Sequence, residues 1–205
     1  MIDLITKADF GRMVAGAAAE IRANHKTLSE LDSTAGDGDH GTTMLRSMEK
    51  IEKAFASGTS DDLTVCLKDA GWSMLHVDGG ASSSLLGVFF SGMAGAVSNN
   101  LTDIFEAGLA AVRKQTRAEP GDKTMMDALV PAVIALRAAR DEGKSVREAL
   151  HDAAAAAHAG AEATRHVQAR YGRAKFLGEK TLGHPDPGAT SMSLLFEGFY
   201  EGFIS

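Results

Sequence analysis

A chain of 205 residues with 44% apolar side chains can bury a sizeable core, and its net charge of −6 argues against a general nucleic-acid binder. One cysteine, Cys66, excludes an internal disulfide and fits a reducing compartment, and no apolar run reaches the roughly 18–20 residues of a membrane span. The N-terminus, beginning Met1-Ile2-Asp3-Leu4, lacks the basic start and long apolar stretch of a signal peptide, so a cytoplasmic protein without membrane or nucleic-acid partners is expected. Nine methionines against 6% aromatics suit packed helices better than sheets.

Phe10, Met13, Val14, Ala17 and Ile21 recur at helical spacing and predict a first helix over about 7–30. Met44, Leu45, Met48, Ile51 and Phe55 mark a second, ended by Gly58. Asp61 and Asp62 open a third, which runs through Leu75 until Gly79-Gly80 breaks it. An apolar fourth covers Ser82 to Val97, and Thr102 is the expected cap of a fifth that continues to about Lys114. After the Pro120-Gly121 turn, a sixth helix starts near Met125 and ends by Gly143. Pro131 should kink it or mark its first turn. Ser145-Val146-Arg147-Glu148 is a capping box that starts an Ala-rich seventh helix, expected to reach about Arg170. A loop at 172–186 follows, and Asp186 with Pro187 at the first helical position starts a last helix over 188–203. No alternating strand and no βαβ rhythm occurs, so the fold class is all-α, with residues 1–205 forming a single domain.

The chemistry concentrates in Leu31-Asp32-Ser33-Thr34-Ala35-Gly36-Asp37-Gly38-Asp39-His40-Gly41. Gly36 to Gly41 fits G-x-G-x-x-G, but that fingerprint works only after a strand, and aspartates would repel a pyrophosphate. The calcium-loop pattern also fails, because the twelfth position from Asp37 is Met48 rather than Glu. What remains is a hard-cation site. Asp32, Asp37 and Asp39 can converge on one or two Mg²⁺ ions, and so sparse a protein ligand set leaves room for a nucleotide's phosphates. The plainer alternative is a solvated acidic turn.

Other loops add groups for an anion. His40 can donate to a phosphate or simply pin the loop, and Gly41-Thr42-Thr43 brings N–H groups and hydroxyls to a helix start. Gly79-Gly80-Ala81-Ser82-Ser83-Ser84 is either a second such place or a capped turn. Arg170, Arg173, Lys175 and Lys180 concentrate positive charge, with Arg173 suited to phosphate and the group equally readable as a solvated face. Met125 is a core residue by spacing, though an adenine neighbour by position. His25, His76, His151, His158 and His166 have no metal-ligand spacing, and Cys66 reads as core.

Taken together, LDSTAGDGDHGTTM, GGASSSLLG, AEPGDKTMMDAL and GRAKFLGEKTLGHPDPGATS resemble, in order and spacing, the nucleotide-binding L subunits (DhaL) of dihydroxyacetone kinases, over essentially the whole chain. The resemblance implies an eight-helix antiparallel barrel with ADP or ATP at one end. Asp32, Asp37 and Asp39 would ligate two Mg²⁺ ions. His40, Gly41, Thr42 and Thr43 would approach the phosphates, as would Ala81 and Ser82 from a second helix start. Thr116 and Met125 would lie near the nucleoside, Arg173 would stabilise phosphate, and Asp186, Pro187 and Gly188 would close the pocket. The chain departs from the family's commonest pattern at Ser83-Ser84-Leu85, where Gly-Pro-Leu is frequent, and Thr116 lies in a variable stretch.

The family's ketone substrate sits on a separate subunit or domain, and nothing resembling that unit occurs here. The resemblance therefore implies a kinase subunit that needs a dihydroxyacetone-binding partner. The phosphoryl donor is either free ATP or a phosphotransferase-system protein that rephosphorylates bound ADP, with the second slightly favoured. Alternatives are an ATP-dependent kinase subunit for a related ketose such as erythrulose, the nucleotide domain of a fatty-acid kinase, and a nucleotide-binding regulatory module.

Overall fold

Apolar stripes at helical spacing, each with polar residues on its other face, build a ring of helices whose apolar sides meet inside. The computed structural model describes residues 4–34, 36–57, 60–74 and 80–205, with the side chains of 80 and 81 outside the description. Among the described residues are α1 (Lys7–Ser33), α2 (His40–Ser57), α3 (Leu63–Ser73), α4 (Gly80–Met93), α5 (Leu101–Arg113), α6 (Met126–Asp141), α7 (Val146–Ala163) and α8 (Pro187–Ile204). Two 3₁₀ segments, Thr164–His166 and Ala174–Thr181, lie between α7 and α8. Each helix packs on the next, and α8 returns onto α1, which closes an all-α barrel. The described residues contain no strand beyond an isolated bridge between Leu4 and Asn100. No helix among them is long and apolar enough to cross a membrane.

Local chemistry sets most helix starts. Thr6 and Asp9 form a capping box on α1, and Ser145 and Glu148 form one on α7. The Asp62 and Asp186 carboxylates cap α3 and α8. Two expectations change. The cap of α5 is Asn100, whose Oδ1 accepts from the Thr102 N–H at 3.0 Å, while the buried Thr102 hydroxyl donates to the Leu136 carbonyl on α6. And α7 stops at Ala163 instead of reaching Arg170. There the Thr164 hydroxyl donates back to the Ala161 carbonyl and also accepts from the Asp186 N–H at 2.8 Å, a tertiary bond that turns the chain out of the helix. Gly58, Leu75, His76 and Gly79, which carried expectations above, lie outside the described residues.

The barrel is filled, not hollow. Phe10 on α1 meets Phe55 of α2, Phe90 of α4, Phe105 of α5 and Phe199 of α8 with ring centroids 5.5–6.5 Å apart, and Phe89 and Phe196 extend the cluster. All but Phe55 are completely buried. Such stacked, edge-on and tilted ring pairs add to the area they hide from water.

Two seams close by removing side chains. Along α1 and α8, Gly16, Gly198 and Gly202 bring backbone onto backbone, and a Cβ on Gly198 would lie 2.6 Å from the Gly16 carbonyl carbon. Between α6 and α7, Pro131 lies inside α6, so the Asp127 carbonyl four residues earlier has no intrahelical N–H to accept from. Gly160 of α7 sits directly against that carbonyl. Pro131 thus lies inside α6, beyond its first turn, and the buried Ala153, Ala154 and Ala157 keep α7 close to the barrel.

The seam geometry separates two glycines on the two helices that form it, α8 and α1. Gly198→Ala should cost about 3 kcal/mol of unfolding free energy, because rigid backbone must move apart. Gly11→Ala in α1, where nothing lies within 4 Å of the new methyl, should gain roughly 0.5–1 kcal/mol from helix propensity. Urea denaturation of both variants, read by far-ultraviolet circular dichroism, measures the two effects.

Candidate nucleotide and metal site

In an up-and-down ring, alternate loops share one end. The turns before α2, α6 and α8, with the start of α4, meet at a cavity of about 390 Å³. Four helix N-termini therefore face one space and bring partial positive charge suited to an anion, although the first N–H groups of α6 and α8 are already taken by Thr124, Met125 and Asp186.

The acidic lip comes from the end of α1 and the loop to α2. Asp32, Asp37 and Asp39 each offer an oxygen, and the three oxygens lie within 4.8 Å of one another. Asp32 Oδ2 also accepts from the Gly38 N–H at 2.9 Å, which folds the loop back on the helix end. Gly38 has φ +76°, a left-handed conformation that a side chain disfavours. The Arg173 guanidinium reaches across and pairs with Asp37. That hydrogen bond holds the Asp37 carboxyl below the usual range, while burial, then the Asp37 and Asp32 charges, push Asp39 up. Three converging hard oxygens with one cation as partial counter-charge are the donor set that Mg²⁺ uses.

Behind the lip, His40 opens α2 and is buried. Its Nε2 lies 3.0 Å from the Ser191 hydroxyl of α8, which also reaches the Gly188 carbonyl. Burial lowers the ring's pKa against the opposing pull of Asp32 and the Pro187 carbonyl, so the neutral ring is the form at pH 7. Gly41, Thr42 and Thr43, grouped with His40 above, do not line the cavity. Gly41 faces α1, where a Cβ would collide with the His25 carbonyl. Thr42 is exposed, and Thr43 is buried with its carbonyl accepting from Ser47. Ser82 lines the cavity from α4, and the Ala81 side chain lies outside the description.

The apolar wall is contributed by Leu86, Met44, Met125 and Met192, with Thr116 at its edge. Across from it, Asp186, Pro187 and Gly188 begin α8. Gly188 is close to the Met125 backbone, since a Cβ there would lie 3.4 Å from the Met125 nitrogen. Burial pushes the Asp186 carboxyl up to about 7, although the Ala189 N–H it caps pulls the other way.

One side chain that the sequence did not single out organises this wall. Lys123 is buried at φ +61°, and its ammonium donates to the Thr164 and His184 carbonyls at 2.5 and 2.6 Å. Burial lowers its pKa, partly offset by Asp186 and Asp127. Asp127 in turn accepts from the Gly121 and Thr124 N–H groups, both at 2.7 Å. Together they clamp the turn before α6 to the segment before α8. A lysine beside Gly121 and Asp122 reads as a surface turn in sequence; nothing local signals its burial.

From Arg170 to Leu182 the chain forms a strap whose first part borders the cavity. Tyr171, Gly172, Arg173 and Ala174 line the cavity from it. Among the described residues, no other group of three His, Cys, Asp or Glu side chains converges as the three aspartates do.

The chain is 37% identical over 203 residues to the PEP-dependent dihydroxyacetone kinase 1, ADP-binding subunit DhaL, of Listeria innocua serovar 6a, covering 96% of this chain and 93% of that protein. It is 39% identical over 177 residues to the PEP-dependent dihydroxyacetone kinase, ADP-binding subunit DhaL, of Escherichia coli K12, covering 83% and 84%. Among solved structures, the dihydroxyacetone kinase of C. freundii in complex with AMP-PNP and Mg²⁺ matches with a TM-score of 0.74 at 28% identity. That match covers 98% of this chain and 35% of the solved one, so the chain spans about a third of that kinase. The DAK2 domain model matches residues 34–201, which take in Asp37, Asp39, Arg173 and α8 as far as Glu201. By that match and by its nearly full-length likeness to the two DhaL subunits, this chain belongs to the DAK2 domain family.

Proposed function

We propose that this chain is the nucleotide-carrying, phosphoryl-donating subunit of a dihydroxyacetone kinase, and that it acts on dihydroxyacetone held by a separate subunit. The observation that carries this reading is the pairing of a three-aspartate cluster with Arg173 across a cavity onto which four helix N-termini open. Phosphate needs that juxtaposition. Carboxylates alone repel it, and helix ends alone do not select a metal-bound form.

Asp32, Asp37 and Asp39 would hold Mg²⁺, two ions in our reading, and bound Mg²⁺ would neutralise charge on the phosphate oxygens. Around that centre the chain's own groups do the positioning. N–H groups at the starts of α2 and α4 orient the phosphates, with Ser82 and the His40–Ser191 pair beside them. Gly41, Thr42 and Thr43 contribute through their backbone and through the packing of α2 on α1. Met125 and Thr116 take the nucleoside side, and Asp186, Pro187 and Gly188 close it. Arg173 is free to leave Asp37 and fork onto a phosphate once the aspartates have a cation to face. No protein nucleophile is required, because phosphoryl transfer of this kind is achieved by alignment and charge neutralisation.

The names of the two DhaL relatives support ADP as the bound nucleotide and a phosphoenolpyruvate-derived donor. We therefore favour a phosphotransferase-system protein over free ATP, and dihydroxyacetone over erythrulose.

Three outcomes follow. Asp37→Asn should weaken Mg²⁺-dependent ADP binding at least about 100-fold, since even outer partners of metal ligands are worth 10–100-fold. Its helical circular dichroism and thermal unfolding should match the parent. Titration calorimetry in Mg²⁺ measures the binding, and normal affinity in the variant would remove the metal assignment. Chelation of Mg²⁺ with EDTA should release bound nucleotide from the parent chain, detected by chromatography of the filtrate. Reconstitution with a dihydroxyacetone-binding subunit decides the donor. Retained ADP with transfer only from a phosphorylated phosphotransferase protein supports our reading. Transfer from free ATP gives the ATP-dependent version, and no transfer from either leaves a regulatory nucleotide module.

A further inference from the structure

The strap presents a large apolar side chain to solvent two residues beyond the cavity-lining Ala174. Phe176 is 81% exposed, although the other phenylalanines at the barrel's centre are buried. Tyr171 and Leu182 on the same strap are 38% and 41% exposed. Phe176 lies within one turn of Arg173, since its N–H donates to the Arg173 carbonyl at 3.2 Å. The Lys175 ammonium sits 4.8 Å from the Phe176 ring centre. The exposed aromatic is therefore next to the group that faces the aspartates.

This segment is held in shape rather than left loose. The buried Thr181 hydroxyl accepts from the Ala169 N–H at 3.1 Å and donates to the Gly178 carbonyl at 2.7 Å. The Arg170 N–H donates to the Asp122 carbonyl at 3.1 Å, and the Arg170 side chain pairs with the Asp122 carboxylate. Just beyond the strap, the Gly183 N–H donates to the Arg165 carbonyl at 2.8 Å. Gly178 at φ +56° makes the tight turn between its two halves. An aromatic on a pinned loop loses little freedom on burial, the property that makes a binding anchor.

Charge narrows the occupant. From Arg170 to Leu182 the strap has four cations, Arg170, Arg173, Lys175 and Lys180, and one anion, Glu179, in a chain of net charge −6. A second copy of this chain would bring a predominantly acidic body but also its own cationic strap, and an isologous contact would set the two straps against each other. The phosphoryl acceptor, by contrast, must come in line with a phosphate lying between the aspartates and Arg173. Whatever holds that acceptor has to cover this mouth.

We propose that the strap is the docking surface for the acceptor-holding subunit, with Phe176 inserting into an apolar socket rimmed by acidic side chains on that subunit. The proposal rests on the kinase-subunit reading above. Phe176 acts in association and does not touch the nucleotide.

The test compares the parent chain with Phe176→Ser and Phe176→Tyr. It measures phosphoryl transfer against the concentration of a dihydroxyacetone-binding subunit from a kinase of this family. Calorimetry with Mg²⁺ and ADP is run on each variant alone. Phe176→Ser should raise the KM for the partner subunit roughly 10- to 100-fold, the range of an aromatic hot spot. Its kcat at saturating partner and its ADP affinity should equal those of the parent, and Phe176→Tyr should restore most of the loss. An unchanged KM in Phe176→Ser, with the parent active, overturns the docking surface and leaves the kinase reading standing. So does loss of ADP affinity in that variant, or a parent dimer that the substitution dissociates. A parent chain that binds no nucleotide and transfers no phosphate overturns the kinase reading, and the docking proposal falls with it.

Discussion

The closure of α8 on α1 is the contact on which the rest depends. Gly16, Gly198 and Gly202 let two backbones meet where any side chain would hold them apart. The consequence reaches the far end of the same seam. There the C-terminal end of α1 supplies Asp32, and the N-terminal end of α8 supplies Asp186 to Ser191. A ring that failed to close would leave these two ends apart, and His40 would lose the Ser191 hydroxyl that it meets at 3.0 Å. The phenylalanine cluster fills the centre of the ring, and the seam aligns its end.

At that end the electrostatics are arranged in opposition. Three carboxylate oxygens within 4.8 Å repel one another, and that cost is retained because Arg173 offsets part of it and a divalent cation can offset the rest. Around them stand helix N-termini, whose partial charge has the opposite sign. Deeper in, Lys123 and Asp186 are both pushed toward their neutral forms by burial, yet each faces the other's charge. The clamp they form with Asp127, Thr164 and His184 fixes the wall beside Met125.

How much was legible depended on how local the deciding interaction is. Capping boxes span three residues, so Ser145 to Glu148 announced the start of α7 in the sequence. The end of α7 is set by Thr164 bonding to Asp186, a partner 22 residues away, and the stretch from Thr164 to Arg170 carries no glycine or proline to announce it. Asp32, Asp37 and Asp39 were legible because like charges crowded on glycines are expensive without a cation. Gly41 was misleading for a related reason: glycine in the first turn of a helix looks like room for a ligand, and here the room is filled by the His25 carbonyl. Lys123 was invisible because nothing about a lysine after Pro120-Gly121-Asp122 predicts burial.

By itself, then, the sequence determined the all-helical class, the order of the helices, most of their starting caps and the acidic centre of the site. These follow from side-chain periodicity and from bonds between near neighbours in the chain. The tertiary structure decided which loops share an end and which glycines serve packing. It also decided that Arg173 meets Asp37 across 135 intervening positions and that Phe176 is left outside the core while its counterparts fill it. Those outcomes depend on the closing of a ring, in which each helix's place is set by all the others, and no window of sequence contains that information.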